Sequence, residues 1–72
     1  ISPFFKSIMN EYADKLHVEQ PTYDTVQEQL GGVLPVFKTS LVFNGTSYTG
    51  DPARTKKEAE KSAAKAAILS II

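Results

Sequence analysis

No cysteine occurs in the 72-residue chain, which excludes disulfides and thiolate metal sites. Its single histidine, His17, leaves no pair of imidazoles to hold zinc. Net charge is lacking as well: eight basic side chains face eight acidic ones, for a formal net charge of +0. A neutral protein is a poor generic ligand for a polyanion, so any affinity for one has to come from local clustering. The apolar stretches are too short to span a bilayer, and nothing has the layout of a signal peptide, so no membrane partner is expected. A nucleophile–histidine pair, a metal-ligand cluster and a P-loop are all missing, so the chain reads as non-enzymatic and without a cofactor.

What remains is a single small domain spanning residues 1–72, near the lower size at which one apolar core holds without staples. A hydrophobic content of 42% with 10% aromatic suits a globular fold and is too high for a disordered one. Opening at Ile1 without methionine, the chain is expected to be a domain excised from a longer protein.

Charge is unevenly placed. Up to Ala53 there are three lysines (Lys6, Lys15, Lys38) against six acids (Glu11, Asp14, Glu19, Asp24, Glu28, Asp51), a net of −3. From Arg54 onward, Arg54, Lys56, Lys57, Lys61 and Lys65 face only Glu58 and Glu60, a net of +3. That asymmetry, rather than the total, points to a polyanionic partner.

Periodicity predicts an α+β chain in the order helix, three strands, helix. Ser2 is a candidate N-cap, with Pro3 at the first helical position. Phe5, Ile8, Met9, Tyr12 and Leu16 then recur at helical spacing as one apolar face, and "HVEQP" ends the helix ahead of Pro21. "PTYDTVQEQ" is a strand that breaks at Gly31-Gly32. "PVFKTSLVF" alternates, with Phe37, Thr39, Leu41 and Phe43 on the core face and Lys38 and Ser40 toward solvent. Asn44-Gly45 marks a type I′ hairpin, and "TSYTG" returns as the third strand of an antiparallel meander, with Tyr48 semi-buried. Thr55 and Glu58 form a capping box ahead of an alanine-rich helix. Ala59, Ala63, Ala66 and Ala67 are predicted on its packed face, with Ile68, Leu69, Ile71 and Ile72 closing the core. Both helices are expected on one face of the sheet.

The cations of that last helix are oddly placed. Lys56 and Lys57 fall in its first turn, where they add to the positive end of the helix dipole at about 0.3–1 kcal/mol each. Free backbone N–H groups, a dipole end and two lysines together suit phosphate, and Arg54 just ahead adds a bidentate donor. Lys57, Lys61 and Lys65 continue as a basic stripe at i, i+4 and i+8. The plainer reading is a solvated helix face, with Lys56 and Glu60 as a minor i,i+4 pair.

In its whole layout the chain resembles the double-stranded RNA-binding domain family. The match runs through "PFFKSIMNEYAD", "PTY", Phe37-x-Thr39-x-Leu41-x-Phe43-Asn44-Gly45, Gly50 and "TKKEAEKSAAKAA". The stretch "TGDPARTKKEAEKSAAKAA" is similar to plant double-stranded RNA-binding proteins of the small-RNA pathway. The resemblance implies recognition of A-form shape over about 16 base pairs, through two minor grooves and the phosphates between them. On that pattern Arg54, Thr55, Lys56, Lys57 and Lys61 meet phosphates. Ser7, Asn10 and Glu11 of the first helix enter a minor groove, where Glu11 matches a glutamate that meets ribose 2′-hydroxyls, and the loop Gln29 to Leu34, with Gly31 and Gly32, enters the second. It also implies an intracellular protein of the nucleus or cytoplasm. Three positions depart from the family: Glu60 stands where a third lysine is usual and faces the same phosphates, Asp14 replaces a glutamine, and "QLGGVLP" carries no histidine or basic residue. A KH-type RNA-binding domain is not expected, since no Gly-x-x-Gly loop occurs.

A second reading keeps the fold and changes the ligand. Family members with degraded RNA surfaces pair through the edge of the third strand and the last helix. Here Ser47, Tyr48 and Thr49 form an uncharged edge that lacks the lysine or proline which blocks pairing. The partner is then a second copy, another protein of the same family or a dicer-like nuclease. Core packing suffices to explain Tyr12, Tyr23, Phe37, Leu41 and Phe43 on either reading.

Overall fold

Asn44 and Gly45 both adopt positive φ, 51° and 83°, so the chain reverses in the tight turn that the dipeptide favours. In this computed structural model, which describes residues 4–28 and 34–71, that turn joins β2 (Val36–Phe43) to β3 (Thr46–Thr49). β1 (Thr22–Glu28) pairs antiparallel with the other side of β2, giving a sheet of order β1-β2-β3. The registers place Tyr23 opposite Leu41, Thr25 opposite Thr39 and Leu41 opposite Tyr48, which lines up the predicted core face across all three strands. Thr39 is fully buried, and its hydroxyl is satisfied across the ladder by Thr25 Oγ1 at 2.7 Å.

Two helices complete the order α1 (Phe5–Leu16), β1, β2, β3, α2 (Lys56–Ile71). α2 lies across the sheet and α1 packs mainly on α2. The helices run side by side in the same direction: Lys6 meets Glu60 near their starts, and Ile8, Met9 and Tyr12 line a small apolar groove with Ile68 and Ile71 near the end of α2.

The core is built from a few large side chains, Met9, Leu41 and Phe43, set among alanines. Ala59, Ala63, Ala64 and Ala67 are all fully buried. Ala64 replaces the expected Ala66, which is only half-buried. α2 is covered on two flanks at once, so its buried arc is wider than a single stripe and reaches Ala64 on the Ile68 side. Leu69, expected in the core, is exposed at 68%, while Ile72 lies outside the described residues.

α1 also buries less than its pattern suggests. Met9 and Ala13 are its buried residues, and Ile8, Tyr12 and Leu16 stay on the surface. Because the helix leans on α2 rather than lying flat on the sheet, only a narrow strip is covered. Tyr12 sits at the rim with its ring 5.8 Å from that of Phe43.

The helix ends earlier than Pro21 requires. His17 takes the left-handed conformation, at φ 57° and ψ 41°; its N–H donates to the Asp14 carbonyl and that of Val18 to the Ala13 carbonyl. This pair of bonds is the Schellman arrangement, which closes the last orphan carbonyls. α1 starts at Phe5 with Phe4 in the N-cap position, two residues later than the expected Ser2 cap and Pro3 start, and Ser2 and Pro3 themselves lie outside the described residues.

Candidate nucleic-acid interface

Thr55 opens α2 as predicted. Its Oγ1 accepts the Glu58 N–H at 3.1 Å, and its carbonyl accepts the Ala59 N–H at 3.0 Å. The N–H groups of Lys56 and Lys57 precede the first intrahelical donor, the Ala59 N–H, and so point outward unsatisfied by the helix itself. The reciprocal half of the capping box does not form: the Glu58 carboxylate turns instead to Lys61, 3.5 Å away. An ammonium one turn on outcompetes the Thr55 amide for the carboxylate.

Arg54, Thr55, Lys56 and Lys57 are all exposed, and among the described residues none of the three cations enters an ion pair. Lys61 is different. It is half-buried and held by Glu58, so the basic stripe is interrupted at its middle, with Lys65 exposed beyond it.

The position of this cationic mouth is set by backbone. After β3, the Gly50 N–H donates to the Thr39 carbonyl at 3.2 Å, and Ala53 exchanges hydrogen bonds with Phe37 at 2.7 and 2.8 Å. The Asp51 N–H donates to Ser62 Oγ at 2.8 Å, which ties the same segment to α2. Gly50 passes so close to the helix that a Cβ there would run into the backbone of Ser62 and Ala63, 2.6 Å from the Ser62 carbonyl carbon. The mouth is thereby fixed at the sheet end where Glu28 pairs with Val36 and the β1–β2 loop departs. Gly31 and Gly32 of that loop lie outside the described residues.

On α1, Ser7, Asn10 and Glu11 are exposed together, as their helical spacing dictates. Gln20 reaches back over this helix, donating from Nε2 to Asp14 Oδ1 at 2.7 Å and to the Asn10 carbonyl at 3.5 Å. Asp14 is therefore engaged by a neighbour rather than left bare.

Glu60 was expected to face the phosphates alongside Lys56 and Lys57. Instead its Oε1 accepts from Lys6 Nζ at 2.7 Å, which draws the carboxylate toward α1. The same ammonium stands 5.0 Å from the centre of the Tyr23 ring. Burial, and then the charge of Glu60, raise the Tyr23 hydroxyl above its usual 10.0, and that hydroxyl has no hydrogen-bond partner among the described residues. Sequence reasoning missed Lys6 altogether, and its separation of 54 residues from Glu60 leaves no local pattern to reveal the pair.

At the other edge, Ser47 and Thr49 are exposed and Tyr48 is half-buried on β3, as predicted for an open strand. Among the described residues no group of three or more His, Cys, Asp or Glu is arranged to hold a metal ion, and no helix is long and apolar enough to cross a membrane.

Residues 5–71 match the family described as double-stranded RNA binding motif. The chain is 42% identical over 67 residues to double-stranded RNA-binding protein 6 of Oryza sativa subsp. japonica, covering 93% of this chain and 13% of that protein. It is 40% identical over 67 residues to double-stranded RNA-binding protein 2 of Arabidopsis thaliana, with 93% and 15% covered. The chain thus spans a small part of these curated relatives. Among solved structures, Arabidopsis HYL1, described for its implications for miRNA processing, superposes with a TM-score of 0.84 at 32% identity, covering 94% of this chain and 96% of that one. The second such domain of DRB4 gives a TM-score of 0.76 at 37% identity, with 93% of each chain covered.

Proposed function

The chain belongs to the double-stranded RNA binding motif family, and we propose that it binds duplex RNA by shape, without sequence preference and without catalysis. Arg54, Lys56 and Lys57, with the free amides behind Thr55, take phosphates across the major groove. Ser7, Asn10 and Glu11 enter one minor groove, where a carboxylate accepts from 2′-hydroxyls, and the β1–β2 loop enters the next. The observation that carries this reading is the exposed cationic mouth of α2, whose three cations lack ion-pair partners among the described residues. Its backbone clamp to the loop end of the sheet supports it, because a fixed spacing is what shape recognition of an A-form duplex requires.

Three neutralised phosphates imply a log–log salt slope near −3, hence weak and strongly salt-sensitive binding by this domain alone. The work of a longer protein around it lies in small-RNA processing, with another protein of the same family or a dicer-like nuclease as partner; the likeness to HYL1 supports this.

The test is titration of a duplex of about 20 base pairs, as RNA and as DNA, at two salt concentrations. RNA binds and DNA binds far less. Replacing Lys56 and Lys57 by alanine together cuts the slope to about −1 and removes measurable affinity near physiological salt. A double variant that binds as the parent does would exclude the mouth as the site.

A further inference from the structure

Lys6 occupies a poor place for a lysine. It is the second residue of α1, a helix with no acid in its first turn and no side-chain capping bond from Phe4, so it adds to the positive end of the dipole. What holds it there lies on two other elements: the Glu60 carboxylate 2.7 Å away and the face of the Tyr23 ring 5.0 Å away.

Glu60 is equally awkward on its own helix. It follows Lys56 by four residues, which places the two as neighbours about 5–6 Å apart on the α2 surface. Its side chain is 28% exposed, enough for its charge to reach a docked anion. An unpaired carboxylate there would oppose every phosphate that the mouth takes up.

We infer that Lys6 is a positioning residue that masks Glu60: it cancels the carboxylate's charge and holds it away from the anion site at the α2 mouth. This rests on the reading that the mouth takes phosphates of duplex RNA. Lys6 does not itself reach the phosphates. Its ammonium is held by a carboxylate at hydrogen-bond distance and by an aromatic face beneath it, which turns it toward Glu60 and Tyr23. The fold therefore accommodates an acid on the phosphate-binding helix by supplying a cation from the neighbouring one.

The 72-residue chain, Lys6→Met and Lys6→Met/Glu60→Gln are each titrated with a 20-base-pair RNA duplex and, separately, with inorganic pyrophosphate read at the Lys56 and Lys57 amides; folding is followed by thermal melting. Lys6→Met weakens duplex binding about fivefold at low salt. Adding Glu60→Gln restores it to within about twofold, with the salt slope of the parent. A double variant as weak as the single one, or a slope smaller by about 1, would make Lys6 a direct phosphate contact and overturn the inference. So would Lys6→Met binding like the parent, or a lower melting temperature with pyrophosphate affinity unmoved, which is all that a plain structural clamp would produce.

Pyrophosphate also separates this inference from the RNA reading. Loss and restoration with pyrophosphate, in a parent that binds no duplex, keeps the mask and removes the duplex. Duplex binding without that pattern does the reverse. Where Lys6→Met lacks a melting transition, the charge swap Lys6→Glu/Glu60→Lys replaces it: retention of parental pyrophosphate affinity supports the mask, and loss opposes it.

Discussion

Ala53 and Phe37 exchange both of their backbone hydrogen bonds, at 2.7 and 2.8 Å, sixteen residues apart in sequence and one residue before Arg54. This lone bridge extends the ladder beyond β3 and aims the start of α2 at the end of the sheet that bears the β1–β2 loop. Any affinity that depends on a fixed distance between cations and loop passes through it.

Ala53→Pro tests that dependence, because proline removes the N–H that the Phe37 carbonyl accepts. Losing this hydrogen bond to the half-buried Phe37 costs about 0.5–1.5 kcal/mol. Melting is expected to fall accordingly, by about 4–8 °C per kcal/mol in a domain of this size. RNA affinity falls further than melting predicts, at temperatures where the variant is still folded. Unchanged affinity would show that the mouth works without the clamp.

Gly50 is fixed by approach rather than by φ. An added Cβ would meet Ala63 N and the Ser62 carbonyl carbon, both backbone atoms of α2 that cannot swing aside. Gly50→Ala is expected to destabilise by about 1–3 kcal/mol, through displacement of α2 from β3. Equilibrium denaturation checks this, and an unchanged midpoint would mean that the helix shifts freely over the strand.

The order of elements was legible because each carried a local signal: Asn44-Gly45 for the hairpin, Thr55 for the cap, strict alternation from Phe37 to Phe43. The mouth was legible for the same reason, since Arg54, Lys56 and Lys57 are neighbours in sequence. What escaped depends on contacts between distant segments. Ala64 belongs to the core because α1 covers a second flank of α2, and Glu60 turns from the phosphates because Lys6 arrives from the first helix. Tyr12 shows the converse, an apolar position in a good helical pattern that the tilt of α1 leaves at the rim.

His17 holds a conformation that side chains with a Cβ resist. Left-handed geometry costs a non-glycine residue about 1–2 kcal/mol, and glycine is the usual occupant of this place after a helix. His17→Gly is therefore expected to stabilise the chain by about 1 kcal/mol, the gain being reduced by the greater freedom of glycine in the unfolded state. His17 is exposed, so little packing is lost in exchange. A lower melting temperature in the glycine variant would show that its side chain contributes contacts that outweigh the strain.

Tyr23 makes the stability of the fold depend on alkaline pH. Burial, then the Glu60 charge, raise its hydroxyl above 10.0, so the folded chain prefers the neutral phenol. The sign follows: stability from this group is fully present below pH 10.0, the unfolded value, and is lost as pH rises through the higher folded value. Tyr23→Phe keeps the ring beneath Lys6 and removes a hydroxyl with no partner among the described residues. At pH 7 the variant is expected to be as stable as the parent or more so, by up to about 1 kcal/mol, because an unsatisfied polar atom is gone. Above pH 10 the gap widens, since only the parent pays to keep a phenol neutral. Denaturation midpoints for both proteins between pH 7 and 11 measure this directly, and a gap that stays constant across that range would mean that Tyr23 ionises as easily in the fold as out of it.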